Sequence, residues 1–152
     1  MKKRILIILA IVLSIALLCV CTLPLKTEIA LSLPGGRIDL EGNPLSDEPV
    51  TIQGWRRDYL LRKSTMELHL TFPDLDTRTT SETPYPFEIW DGILHQHHTV
   101  YVSNWNSAAS CSVFLSEDGS WYLVRIENRL YYGSAAGGPT PAEIIAITGM
   151  TK

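Results

Sequence analysis

Three of the chain's four histidines fall in one short run, His95-Gln96-His97-His98. On an extended backbone His95 and His97 point to one face and His98 to the other. Two imidazoles on one face can hold a first-row divalent metal, zinc or copper, with carboxylates or water completing the shell. Glu88 and Asp91 are close in sequence, and His69 could arrive from a neighbouring strand. No second ligand motif of recognisable spacing accompanies the run, so a solvated polar edge is the plainer reading.

Aromatic residues are the second set with chemical potential. Trp and Tyr on exposed strands can stack sugar rings or a partner's side chains. Trp121 and Tyr122 are adjacent on one strand, so one of them should face away from the core. With Trp105 they form the expected ligand-binding patch. The basic residues Arg56, Arg57, Arg62 and Lys63 could meet anionic lipid heads or wall polymers, although Asp58 is at hand to neutralise a solvated turn.

Nucleophilic chemistry finds little support. No G-x-S-x-G elbow occurs, and Cys111 sits in the alternating SCSVFLS, where a thiol is buried and inert. No glycine-rich loop joins a strand to a helix as nucleotide phosphates require. The expectation is a non-enzymatic chain without a resident cofactor, with a hydrolase built on the loop from Pro73 to Pro86 as the remaining alternative.

The element that positions all of this is the run Ile5–Leu25, ILIILAIVLSIALLCVCTLPL, which carries no charge and follows Lys2, Lys3 and Arg4. As a helix it reaches roughly 31 Å, about one hydrocarbon core. Basic residues stay cytoplasmic, so the remainder should lie outside. The expected organisation is a cytoplasmic basic start (1–4), a transmembrane anchor (5–25) and an extracytoplasmic domain (26–152). A cleaved signal or a lipoprotein signal competes. The apolar run is long for the first, and Leu18 and Val20 are large for residues preceding a lipidated Cys19 or Cys21. The expected location is the cell membrane, crossed once, in the layout of a bacterial envelope protein.

The 127 residues beyond the anchor suffice for one core without obligatory disulfide or metal. All 16 acidic residues follow the run but only ten of the 13 basic ones do, which argues against nucleic acid as partner. An unidentified envelope protein or ligand fits better.

Alternation predicts the fold. TMELHLTF over 65–72 is the clearest strand, with Met66, Leu68, Leu70 and Phe72 on its buried face. KTEIALSL and RIDLE flank Pro34-Gly35-Gly36 as an expected hairpin, and PVTIQG continues the pattern. Asp91-Gly92 suits a second hairpin, and 73–86 reads as a long loop. Cys111–Leu115, Trp121–Ile126 and Leu130–Tyr132 form a meander. Thr140-Pro141-Ala142-Glu143 has the signature of a capped helix start, with Gly149 as its stop, while Ile144, Ile145 and Ile147 leave a strand as the competing reading. The expected class is mainly β: an N-terminal transmembrane helix, then a small antiparallel sandwich or barrel-like domain, closed by a short C-terminal helix.

Overall fold

The computed structural model describes residues 2–79 and 84–150. Helix α1 spans Lys2–Thr22. Its side chains are described at Ile5, 7–18 and Thr22, and all of these are exposed. Among the described residues no helix is long and apolar enough to cross a membrane.

The rest is mainly β, in two antiparallel sheets. The smaller has the order β1 (Leu25–Leu31), β3 (Thr51–Asp58), β4 (Thr65–Thr71), β6 (Tyr85–Pro86). The larger runs β2 (Gly35–Ile38), β11 (Arg129–Ser134), β10 (Trp121–Ile126), β9 (Ser107–Ser116), β8 (Ile93–Val102), β5 (Thr77–Thr79), with β7 (Glu88–Trp90) also paired to β8. These are two open sheets facing each other, not one closed barrel.

Alternation explains the facing surfaces. Ile52, Met66, Leu68 and Leu70 of the smaller sheet meet Leu94, Val100, Val113, Leu115, Val124 and Tyr131 of the larger one in the main core. The Tyr122 hydroxyl donates to the Val50 carbonyl at 2.7 Å, and the Gln96 amide donates to the Met66 and Tyr85 carbonyls at 2.8 and 3.0 Å. These two buried polar tips thus leave the larger sheet and find partners across the main core.

Helix α2 (Pro141–Ile147) covers part of the larger sheet's other face, where Ile144 and Ile145 join Ile38, Phe114, Trp121, Leu123 and Leu130 in a second core. Thr140 caps it in a complete capping box with Glu143, as its sequence predicts. Gly149 follows with φ +67°, the left-handed geometry of a helix stop.

The expected hairpin across Pro34-Gly35-Gly36 does not form. β1 pairs with β3 in one sheet and β2 with β11 in the other. Gly35 and Gly36 lie in the strand itself, because a Cβ at Gly35 would stand 2.2 Å from the Tyr132 carbonyl oxygen and one at Gly36 1.9 Å from that of Ser46. Glycine here permits backbone to approach backbone rather than to turn. The Asp91-Gly92 hairpin does form, with both φ values positive as a type I′ turn demands. Within the expected 73–86 loop, the short strands β5 and β6 occur, and 80–83 lie outside the described residues.

Candidate functional site

A cleft opens where β2, the loop after it, and the β10–β11 turn converge beside a short 3-10 turn, Ser103–Trp105. It encloses about 590 Å³, and its walls include Arg37, Asp39, Glu41, Trp105, Asn128 and Arg129. One aromatic ring among two guanidiniums, two carboxylates and an amide can offer stacking and directional hydrogen bonds together.

Local chemistry fixes the cleft's walls. Asp39 folds the loop over itself: its carboxylate accepts from the backbone amides of Glu41 (2.9 Å) and Asn43 (2.8 Å) and from the Asn43 side chain (2.8 Å). These bonds, that of the Asn43 side chain foremost, hold its carboxyl below the usual range. Gly42, at φ +86°, then passes α2 so closely that a Cβ would lie 2.9 Å from the Ala142 amide nitrogen. The helix therefore braces the loop.

The opposite wall depends on Asp74, which leaves the smaller sheet and reaches the larger. Its carboxylate accepts from Arg129 at 2.6 Å, from the Tyr131 hydroxyl at 2.6 Å and from Arg37 at 3.3 Å. Two arginines share this one carboxylate, and Asp39 and Glu41 stand in the same cleft, so the site presents both signs of charge. Burial, and then the bond to Asp74, pushes the Tyr131 phenol up to about 12, so it remains a donor at neutral pH. The Arg129 guanidinium lies over the Trp105 ring, 5.2 Å from its centroid. That contact orients both residues at the cleft wall.

Trp105 is thus half-buried and lines the cleft. Trp121 and Tyr122 are placed elsewhere and do not join it in an exposed patch. Trp121 is 8% exposed in the second core, and Tyr122 is fully buried in the main one. They do face opposite ways, but the larger sheet is covered on both sides along β10. A continuous apolar run such as WYLV is what a doubly covered strand shows, and that signal was present in the sequence.

The histidines also separate. His95 and His97 share the outer face of β8 and line a groove of about 450 Å³ with Glu88, Lys63, Phe87 and Ile89. The His95 ring stacks on Phe114 with centroids 4.3 Å apart, and its burial, only partly opposed by Glu88, lowers its pKa. His97 Nδ1 lies 3.0 Å from the Ser112 hydroxyl. His98 points into the core and stacks on Tyr85, and among the described residues neither ring nitrogen has a hydrogen-bond partner. Burial, with a smaller push from the neighbouring His97, takes its pKa down to about 4. His69 stands exposed on β4, in the other sheet, beside Glu67. Among the described residues no group of three or more His, Cys, Asp or Glu is placed to hold a metal ion.

Cys111 is buried as its alternation predicts, and burial drives its thiol up to about 12. Arg37, Asp74 and Arg129 were not legible as a group, because Asp74 meets them across 37 and 55 residues of sequence.

No protein-family model, curated protein or solved structure matches this chain.

Proposed function

We propose that this is a single-pass membrane protein whose extracytoplasmic β domain is a binding module, and that the ligand enters the cleft beside Trp105. The single observation that carries the binding reading is the convergence of a half-buried tryptophan, two arginines, two carboxylates and an asparagine around about 590 Å³. That set suits a ring-bearing, hydroxyl-rich envelope ligand such as a glycan: rings stack on the indole while arginine and carboxylate side chains bond the hydroxyls in pairs.

The anchor reading takes as its span the whole uncharged run Ile5–Leu25, several of whose side chains lie outside the described residues, and what is described of α1 supports it. No charge follows Arg4 in this helix, and Leu13 and Leu18 are 72% and 68% exposed, uncovered by the β domain. Such a helix is costly in water and is stabilised in hydrocarbon by every side chain transferred.

The test is binding of envelope glycan fragments to the full chain held in lipid nanodiscs. Trp105→Ala and Arg129→Ala should each weaken binding on the order of tenfold while the far-ultraviolet circular dichroism stays unchanged. Equal binding by both variants removes the cleft from consideration.

A second reading has one specific observation behind it: His95, His97 and Glu88 open onto the same groove. In this reading the two histidines take zinc or copper, with water completing the shell. Calorimetric titration with each metal decides it. Heat that persists unaltered in the His95→Ala/His97→Ala double variant ends the proposal.

A further inference from the structure

The connection between β3 and β4 carries Leu60 and Leu61 at 72% and 75% exposure, two large apolar side chains held in water at a loop tip. Their location gives them meaning. Leu25, the first residue of β1, pairs with Asp58, the last of β3, and only Leu23 and Pro24 separate β1 from the end of α1. The leucine tip therefore lies at the end of the smaller sheet where the chain leaves the helix.

Cations gather at the same end, in two different states. Arg56 and Arg57 are neutralised by Asp58, Glu117 and Glu67. Among the described residues no carboxylate pairs with Arg62 or Lys63, next to the leucines. The Arg62 guanidinium rests on the Tyr59 ring at 3.7 Å instead. Exposed leucines beside an aromatic ring and unpaired cations match the boundary between acyl chains and headgroups, where aliphatic groups bury, rings sit at headgroup level and cations meet anionic lipid.

We propose that the β3–β4 loop is a second membrane contact: Leu60 and Leu61 enter the leaflet at which α1 emerges, and Arg62 and Lys63 bind its anionic lipid headgroups. Two contacts at one end of the sheet would hold the domain in a fixed attitude on the bilayer. The proposal rests on the anchor reading above, and its test separates the two.

The full chain, with Cys19 and Cys21 replaced by alanine and the buried Cys111 retained, receives one environment-sensitive fluorophore at Leu60→Cys, Leu13→Cys or Ala136→Cys. Each form is placed in phosphatidylcholine vesicles with or without phosphatidylglycerol, and quenching by headgroup-proximal and acyl-chain nitroxide lipids is read. Expected is quenching at position 13 in both vesicles, none at 136, and quenching at 60 that strengthens with phosphatidylglycerol. Arg62→Ala/Lys63→Ala should abolish that strengthening. A probe at 60 that stays in water while 13 is quenched overturns the loop contact and leaves the anchor standing. No quenching at 13 overturns the anchor and the loop contact with it. Shielding at 60 that rises with protein concentration in lipid-free micelles assigns the leucines to a second copy of the chain, and also overturns the proposal.

Discussion

His98 holds two unpartnered nitrogens in a core, which is affordable only while the ring is neutral. In the unfolded chain the same imidazole takes its proton near pH 6.5, whereas in the folded protein it does so at about 4. Between those values the unfolded state binds more protons, so stability rises with pH. The full contribution is present above the unfolded value, and up to about 3 kcal/mol is lost as the pH falls to the folded one. Urea midpoints at about pH 7.5 and about pH 5 should therefore diverge in the natural protein and converge in His98→Leu, which removes the titrating group without opening a large void. An unchanged pH dependence in that variant would show that other groups govern it. Gly133 makes a different demand: a Cβ there would stand 2.4 Å from the Tyr122 ring, whose hydroxyl is committed to Val50. Gly133→Ala should lower stability by about 1–3 kcal/mol, read as a drop in the urea midpoint at constant slope.

At the scale of elements, the sequence was legible wherever one face of a strand is dry and the other wet. TMELHLTF alternates because β4 has the main core on one side only, and Met66, Leu68 and Leu70 are where the pattern puts them. The capped helix was legible for a comparable reason, since Thr140, Pro141 and Glu143 act within one turn of each other. Thr140→Ala should cost about 1 kcal/mol. The loss should extend to the loop at 39–45 that α2 braces, where faster amide exchange would report it. Legibility failed where partners are distant. Gly35-Gly36 has the composition of a turn, and only the approach of Tyr132 and Ser46 reveals why glycine stands there. The cleft's wall was hidden in the same way, because Asp74 lies in an aperiodic stretch and its partners come from β2 and β11. Asp74→Ala would release both arginines and leave the Tyr131 hydroxyl unpaired. It should reduce stability by about 1–3 kcal/mol and weaken binding in the cleft at the same time.

The whole molecule joins two solutions to the burial of apolar side chains. The β domain buries its own, between two sheets and beneath α2. The leading helix leaves its described leucines and isoleucines outward, and we propose that a bilayer covers them. The exposed leucines of the β3–β4 loop follow the same logic on a smaller scale. Placing the cleft outside the membrane makes an envelope ligand reachable, so the binding proposal depends on the topology. The most direct measurement is alkaline carbonate extraction of membranes containing the full chain, combined with protease added to intact cells from outside. The chain should stay in the membrane pellet, and external protease should remove the β domain. Release of the chain into the supernatant, or a β domain untouched by external protease yet cut after the membrane is opened, would contradict this topology.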